Sequence, residues 1–463
     1  MNNYENYLSP YSWRYGSEDM RHLWSEVHKR RLWRKIWVAL AEVQGDYGLV
    51  NHEQVADLRR FADQVDVQRA LQIESQIHHD LMAELKSFAE DAAVGGSILH
   101  LGATSADIED NADVLRTRQA LSLILEKLHE LLLIFAKAAE RWAELPLMGY
   151  THLQPAEPTT LGYRFALYAQ DLLMDWEDLR QVNRNLRGKG FKGAVGTGAS
   201  FAELIGRENL NEFELKLSAK LNLPFFPATS QVYPRKQDYR ILCSLAGLGI
   251  SLYKFAFDLR ILQSPAFGEL AEPFSDKQVG SSAMPFKRNP INAEKIDSLA
   301  RSLAQFPRQA WDNAALSALE RTLDDSANRR SMLPEAFLIT DELLVVAQRI
   351  VEGLVIDEKA IRYNLDRYGT FSSIERVLMA LVAAGADRQV MHERLRELSM
   401  QAWRSIENQE KNPLIELIAK EPMFLNYVEA DNLRILMDVD QYIGNAPQNA
   451  LALGDSIRKA LDA

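Results

Sequence analysis

The sequence predicts a mainly α-helical protein built around a bundle of long helices. From Asp113 to Trp142 the apolar residues recur at steps of 7, 4, 3, 4, 3, 4 and 3, a heptad pattern sustained over about four repeats. Other long helical stretches follow it, and alternating strand patterns are scarce. Only short apolar pieces near Phe225 and Tyr233 are compatible with extended structure, so no large sheet is expected.

The elements can be placed in chain order by their periodicity and by helix-breaking residues. Two amphipathic helices are expected near the N-terminus, over 51–66 and 73–88. The long helices are expected over 113–142, over 158–187, over 236–262, from 290 onward and from about 325 onward. Shorter helical segments should follow from about 357, broken at Gly369, Gly385, Pro413 and Pro422.

This arrangement predicts three domains. Residues 1–104 form a helical N-terminal domain, residues 105–356 a central domain of long helices, and residues 357–463 a helical C-terminal domain. The chain of 463 residues, with 47% hydrophobic and 25% charged residues, has enough apolar content to bury a large core.

Composition excludes several classes of function. The net charge of −11 argues against general binding of nucleic acid, because a negative protein repels phosphate. One cysteine, Cys243, excludes an internal disulfide and paired-cysteine motifs, and no His-Glu-x-x-His zinc motif occurs. The N-terminal residues lack the basic and apolar regions of a signal peptide, and no uncharged apolar stretch is long enough to span a membrane. We therefore expect a cytoplasmic protein that binds no membrane and no metal.

The segment from Gly280 to Pro290 is the first candidate for chemistry. It reads GSSAMPFKRNP, has no helical or strand period, and lies just before a predicted helix. Asn289 is a suitable N-cap, and Pro290 suits the first helical position. A helix N-terminus with adjacent cations attracts carboxylate or phosphate, although a solvated basic loop has the same composition.

Three other segments join predicted helices. The segment from Gly149 to Pro158 carries His152 between two long helices, where a histidine can titrate near neutral pH or simply face solvent. Thr104 and Ser105 precede a helix whose first turn is acidic, which is typical of capping residues. The segment 188–198 contains five glycines but lacks the spacing of a nucleotide-triphosphate P-loop.

Together these segments resemble those of the fumarase/aspartase superfamily. GSSAMPFKRNP resembles the signature loop of the superfamily, whose members eliminate fumarate or a relative from succinyl-type substrates. Within it, LERTLDDSANRR (319–330), HLGATS from His100 and THLQPA from Thr151 resemble the adenylosuccinate lyase pattern. Matching segments run in the family's order from Arg14 to the C-terminal region, so the resemblance covers nearly the whole chain.

The resemblance implies a fold, an assembly and a reaction. The fold would be a three-domain, mainly all-α architecture, whose long helices form a twenty-helix core in a homotetramer with composite active sites. The reaction would be β-elimination of fumarate from adenylosuccinate to give AMP, and from succinylaminoimidazole carboxamide ribotide (SAICAR) to give AICAR. No cofactor is implied.

The resemblance also assigns catalytic roles. Ser281 would be the base that removes a proton from carbon, and His152 the acid that protonates the departing nitrogen. Lys287 and backbone N–H groups of the loop would favour the serine alkoxide. His79 would be a second functional histidine that positions substrate, and Glu294 would support the catalytic histidine from a neighbouring chain.

The remaining matches are substrate-binding residues. Lys287 and Asn289 would hold the succinyl carboxylates, and Thr104 and Ser105 would donate hydroxyl hydrogen bonds to them. The other positions that match substrate or nucleotide contacts are Arg14, Tyr15, Asp80, Gln231, Lys295, Arg321, Ser326 and Arg330. For the last three, the alternative is a salt-bridged helix face, since Asp324 and Asp325 are nearby.

Departures from the family pattern leave alternatives open. Lys295 stands where close relatives carry arginine, Gly198 where many carry glutamine, and Phe286 where Tyr or His is usual. The alternatives are another lyase of the superfamily (argininosuccinate lyase or a carboxymuconate cycloisomerase), a non-catalytic helical assembly protein and a nucleotide-binding regulator. The run from Arg321 to Arg330 argues against the first, and the intact His152, Ser281, Lys287 and Asn289 argue against the second. The third predicts AMP binding with no release of fumarate.

Overall fold

The computed structural model describes residues 5–275 and 277–462. Its helices are Glu18–Leu23 (α1), Glu26–Gly45 (α2), His52–Phe61 (α3), Val67–Ile77 (α4), Asp80–Asp91 (α5), Ser105–Arg141 (α6), Leu161–Arg184 (α7), Ala199–Ile205 (α8), Leu210–Leu221 (α9), Lys236–Leu262 (α10), Ile291–Leu303 (α11), Phe306–Ala315 (α12), Ser326–Glu352 (α13), Glu358–Tyr368 (α14), Ile374–Ala383 (α15), Arg388–Glu407 (α16), Leu414–Ala419 (α17), Pro422–Leu425 (α18), Ala430–Leu436 (α19) and Ala446–Asp462 (α20). Two antiparallel pairs of strands accompany them: Pro146–Thr151 (β1) with Gln154–Thr160 (β2), and Leu270–Ala271 (β3) with Val355–Ile356 (β4).

The prediction of a mainly helical fold with long helices is confirmed. The predicted stretches over 113–142, 158–187 and 236–262 correspond to α6, α7 and α10, and the stretches from 290 and from 325 correspond to α11 and α13. Leu121, Leu128, Leu132 and Phe135 of the heptad are fully buried, as a bundle seam requires.

Two local predictions were wrong. The expected helix over 73–88 is two helices, because His78 adopts a left-handed conformation (φ 54°) that ends α4, and His79 caps α5. The connection around His152 was expected to be a loop between helices, but it is the hairpin of β1 and β2. The alternation of side chains in that hairpin is obscured by a register shift between Met148 and Tyr150.

The chain divides into two compact units by its internal contacts. One unit comprises residues 1–128, 175–250 and 298–345, and the other residues 129–174, 251–297 and 346–463. Five helices, α6, α7, α10, α11 and α13, have residues in both units.

Helix α10 is long and apolar enough to cross a membrane by length and composition alone. Half of its most apolar window is buried inside the protein, however, as in the core helix of a helical bundle. Residues Leu242, Leu245, Leu248 and Leu252 of this helix are fully buried. Packing within the chain therefore accounts for part of its hydropathy.

Candidate active site

In the first unit, predicted site residues from three helices meet around Arg330. Its guanidinium donates a hydrogen bond to the Asp80 carboxylate at 2.8 Å. His79 caps α5, and its Nε2 lies 3.5 Å from the Ser105 hydroxyl. Burial opposes ionisation of Asp80, but Arg330, the Leu81 N–H and Lys29 together hold the pKa of this carboxyl below its usual value. His79, Asp80, Ser105 and Arg330 thus form one polar cluster.

The side chain of Asp107, rather than that of Thr104, stabilises the first turn of α6. The Asp107 carboxylate accepts a hydrogen bond from the Thr104 backbone N–H at 2.9 Å. The same buried carboxylate contacts the Lys189 ammonium and accepts hydrogen bonds from the N–H groups of Lys192 and Gly193. The glycine-rich segment is therefore folded around a structural carboxylate, and its left-handed Gly190 and Gly193 allow that approach.

A buried ionic network supports Arg321 and Ser326. Arg321 donates to Asp325 at 2.9 Å, so the salt bridge considered as the alternative does form. Asp325 also accepts from Arg235 at 2.6 Å, and Arg235 makes two hydrogen bonds of 3.0 Å to Asp110. Despite burial, the neighbouring guanidinium groups hold the pKa of Asp325 below its usual value.

Gln231 lies beside this network. Its backbone N–H donates to the carbonyl of Glu320 at 3.2 Å, which places Gln231 next to Arg321. Ser326 and Arg330, the first and fifth residues of α13, are four residues apart and share a helix face. The first unit therefore brings together Gln231, Arg321 and the start of α13.

Arg14 and Tyr15 precede α1 in a segment that is anchored to a later part of α13. The segment that carries them is fixed by hydrogen bonds from the Gly16 and Ser17 backbone N–H groups to Glu342 and Asp341. Glu342 is twelve residues beyond Arg330, which corresponds to about 18 Å along a helix at about 1.5 Å per residue. Within one chain, the anchor of Arg14 and Tyr15 is therefore far from the start of α13.

In the second unit, His152 occupies the tip of the β1–β2 hairpin. It forms a two-residue turn with Leu153, and both residues have positive φ angles, 53° and 58°. This turn type normally takes Asn-Gly, so two residues with Cβ atoms are strained there. The imidazole is exposed, and no side chain within 5–275 or 277–462 hydrogen-bonds to it. A protruding, unengaged histidine is available to a bound molecule or a second chain.

Hydrogen bonds within the signature loop hold Ser281 and join the two ends of the loop. The Ser281 hydroxyl accepts a hydrogen bond from the Met284 N–H at 3.1 Å, and the Asn289 amide donates to the Gly280 carbonyl at 3.0 Å. A Cβ at Gly280 would lie 2.1 Å from the Lys287 carbonyl oxygen, so only glycine fits where the two ends of the loop meet. Lys287 is exposed on the same loop.

The expected free helix N-terminus after this loop is occupied. Helix α11 begins at Ile291 rather than at Pro290, and Asn289 does not cap it. The Glu272 carboxylate accepts hydrogen bonds of 3.0 Å from the Asn292 and Ala293 N–H groups instead. These two amides of α11 therefore already bind a carboxylate of the same chain.

The last two predicted residues lie on the first turn of α11. Glu294 is exposed, and its carboxylate lies 3.8 Å from the Arg260 guanidinium. Lys295 is half-buried. Within the described part of the chain, no group of three or more His, Cys, Asp or Glu side chains could hold a metal ion.

The sequence did not predict the buried ion pairs that support the candidate site residues. Asp110 and Arg235 are 125 residues apart, and Asp238 and Arg329 are 91 apart, yet each pair is joined by buried hydrogen bonds. The sequence gives no local pattern that pairs charged residues over such separations. The only signal for these residues is that some of them lie in or near the motifs described above.

Comparisons with known proteins show the same architecture and family. The family described as "Lyase" matches residues 10–303, and the "Adenylosuccinate lyase C-terminus" family matches residues 371–450. The solved structure of 3-carboxy-cis,cis-muconate lactonizing enzyme from Pseudomonas putida is 25% identical and superposes with a TM-score of 0.85, covering 97% of this chain and 98% of that one. The fumarate lyase from Mesorhizobium sp. BNC1 is also 25% identical, with a TM-score of 0.83 and coverage of 97% and 99%.

The fold is thus that of the fumarase/aspartase superfamily of lyases. Adenylosuccinate lyase from Schizosaccharomyces pombe (strain 972 / ATCC 24843) is 37% identical over 97% of this chain and 94% of its own length. Those from Schistosoma mansoni and Pyrococcus abyssi (strain GE5 / Orsay) are 39% and 36% identical, over 92% and 95% of this chain and 89% and 95% of their own lengths. The chain belongs to the adenylosuccinate lyase family.

Proposed function

We propose that this enzyme eliminates fumarate from adenylosuccinate to give AMP, and from SAICAR to give AICAR, in purine nucleotide synthesis. The match of residues 371–450 to the adenylosuccinate lyase C-terminus carries the proposal, because it distinguishes this chain from other lyases of the same fold. The similarity in structure to a muconate lactonizing enzyme favours a cycloisomerase as the second candidate.

We propose Ser281 as the base. It takes a proton from the carbon next to a succinyl carboxylate, and negative charge then develops on that carboxylate. The Met284 N–H that donates to its hydroxyl supports this role, because the same hydrogen bond would stabilise the alkoxide. Lys287, on the same loop, supplies positive charge for the alkoxide and for the substrate carboxylate, with Asn289 as a neighbouring ligand.

The C–N bond then breaks, and its electron pair goes to the departing nitrogen. We assign His152 as the acid that protonates this nitrogen, supported by its exposed imidazole at the hairpin tip. Thr104, Ser105, His79 and Asp80 position the succinyl group. The nucleotide and its phosphate are bound by Arg14, Tyr15, Gln231, Arg321, Ser326 and Arg330. Glu294 supports the catalytic histidine, and Lys295 contacts the substrate. This reaction needs no cofactor.

The assay is the ultraviolet change on conversion of adenylosuccinate to AMP and fumarate. We expect turnover by the wild type and a loss of about 10²–10⁴-fold in kcat for Ser281→Ala and for His152→Ala. Ser282→Ala is the matched control, because this exposed serine is adjacent on the same loop. A folded wild-type protein that releases no fumarate would overturn the proposal, and cycloisomerase substrates would be tested next.

We also propose a cytoplasmic homotetramer whose active sites take residues from several chains. The long helices carry exposed apolar residues seven positions apart, Leu167 and Met174 on α7 and Ile250 and Phe257 on α10, which suits packing against helices of another copy. If sites combine chains, mixing inactive Ser281→Ala and His152→Ala proteins should restore part of the activity, because some hybrid sites then carry both intact residues. No recovery in verified hybrid tetramers would place both residues of a site on one chain.

A further inference from the structure

Glu109 is an acidic side chain in the Arg330 cluster that the proposed mechanism does not use. On α6 it lies one turn after Ser105 and one turn before Asp113, so the three share a helix face. Ser105 faces His79, and Asp113 lies 3.3 Å from the Arg329 guanidinium. Glu109 is therefore between the proposed succinyl-binding residues and the start of α13.

The other carboxylates of this cluster are each paired with an arginine. Asp80 pairs with Arg330 at 2.8 Å. Asp110 pairs with Arg235 at 3.0 Å. Asp113 pairs with Arg116 at 2.9 Å. Glu109, half-buried, makes no hydrogen bond or ion pair with any residue in the described ranges.

Three carboxylates, those of Asp80, Asp110 and Asp113, and one guanidinium, that of Arg330, act on Glu109. The other ionisable groups of the cluster are His79 before α5, Arg329 on α13, Arg116 on α6, Arg235 before α10, and Glu26 and Lys29 on α2. Burial, the Asp80 carboxylate and the two aspartates of its own helix raise the pKa of Glu109 to about 8, and Arg330 only partly opposes them. At neutral pH its side chain is mostly a carboxylic acid, which can donate a hydrogen bond.

We propose that Glu109 is a further substrate-contacting residue, which donates a hydrogen bond to the nucleotide phosphate bound at Arg330. The inference rests on the proposed function, in which Ser326 and Arg330 are among the residues that bind the nucleotide and its phosphate. Arg330 is already paired with Asp80 and Arg321 with Asp325, so the charge of each is partly compensated, and a further donor beside Arg330 would strengthen the binding of a dianionic phosphate. A protonated Glu109 supplies one without adding negative charge, whereas an ionised Glu109 would repel the phosphate.

The test is the pH dependence of AMP binding and of KM for adenylosuccinate between pH 6 and 9, in wild type, Glu109→Gln and Glu109→Ala. In the wild type, affinity should fall about tenfold as Glu109 ionises above pH 8, with kcat changed less than KM. Glu109→Gln keeps a neutral donor, so it should retain the affinity measured at pH 7 and lose the alkaline fall. Glu109→Ala should bind AMP about tenfold more weakly already at pH 7. Glu126→Gln, an exposed glutamate on the same helix, is the control and should behave as wild type.

Urea unfolding provides a readout that does not depend on the reaction. A raised carboxyl pKa makes the folded state lose stability as pH rises from about 4 to about 8, and Glu109→Gln should remove this slope. The proposal is overturned if Glu109→Gln weakens AMP binding as much as Glu109→Ala, since Glu109 would then act as a carboxylate acceptor. It is also overturned if neither variant changes binding or if the stability slope persists in Glu109→Gln. Failure of the proposed function is distinguishable from failure of this inference, because the wild-type protein itself would then show no turnover.

Discussion

The turn formed by His152 and Leu153 places two side chains in the left-handed region of φ. Such a conformation costs about 1–3 kcal/mol for a residue with a Cβ atom. His152 is exposed, and no side chain of the described residues hydrogen-bonds to it. The turn presents its imidazole to solvent, a feature that neither composition nor periodicity reveals.

Replacing Leu153 should change stability in a direction set by the turn. Leu153→Asn should raise the free energy of unfolding by about 0.5–1 kcal/mol, because asparagine tolerates a positive φ. Leu153→Val should lower it by a similar amount, because a β-branched side chain tolerates it least. Urea unfolding of the two variants measures both changes, and equal stabilities would contradict the strain argument.

Asp325 is a residue whose charge is needed for stability. Asp325→Asn removes the carboxylate shared by Arg235 and Arg321 and leaves Arg235 with Asp110 as its acidic partner, so unfolding should become easier by about 1–3 kcal/mol at pH 7. Asp324→Asn, at the exposed neighbouring position, should change stability by less than about 0.5 kcal/mol.

The same network predicts a pH dependence. Because the folded-state pKa of Asp325 is lowered, its contribution is complete above the unfolded-state pKa of about 4 and is lost as pH falls through the folded value. Stability curves from pH 7 down to pH 2 should therefore be flatter for Asp325→Asn than for wild type. Parallel curves would show that Asp325 titrates normally in the folded state.

At the scale of elements, α11 depends on a residue from outside the helix. Glu272→Ala removes the carboxylate that binds the Asn292 and Ala293 N–H groups, so we expect a loss of about 1–2 kcal/mol and faster amide exchange at both residues. Glu272→Gln keeps one accepting oxygen and should lose less. Hydrogen exchange measures the effect at each amide, and unchanged protection in Glu272→Ala would show that another group caps the helix.

The long helices could be predicted because each carries its own periodic pattern. The heptad of α6 is visible in the sequence and corresponds to fully buried leucines and Phe135. The break at His78 and the cap by Glu272 could not be predicted in the same way. The first depends on one left-handed residue within an amphipathic pattern, and the second joins residues that are 20 apart in the chain.

At the scale of the whole molecule, the motifs predict which residues form the site, but the arrangement of those residues depends on the fold. His79, Ser105 and Arg330 are predicted as site residues from three separate parts of the sequence, and the structure brings them together. The segment that carries Arg14 and Tyr15, which are predicted by the same reasoning, is anchored at Asp341 and Glu342, about three turns of α13 beyond Arg330. The division into domains 1–104, 105–356 and 357–463 and the catalytic roles stay predictions.

Association of the long helices is testable with a matched pair of substitutions. Ile250 on α10 and Ile435 on α19 are exposed to similar degrees, 70% and 60%. If α10 packs against another copy, Ile250→Lys should dissociate the tetramer and lower activity, because burying an unpaired ammonium is costly. Ile435→Lys should leave the assembly intact. Sedimentation velocity separates the species, and a tetramer that tolerates Ile250→Lys would place the interface elsewhere.

The Asp107–Lys189 pair has a consequence for biosynthesis. The two residues are 82 positions apart, so at about 5–20 residues per second the ribosome completes Lys189 roughly 4–16 s after Asp107. During that interval, docking the start of α6 would bury an uncompensated anion, which is unfavourable. We therefore expect this end of α6 to stay in water until the glycine-rich segment has emerged, so that the start of α6 docks later in translation than its position in the chain suggests.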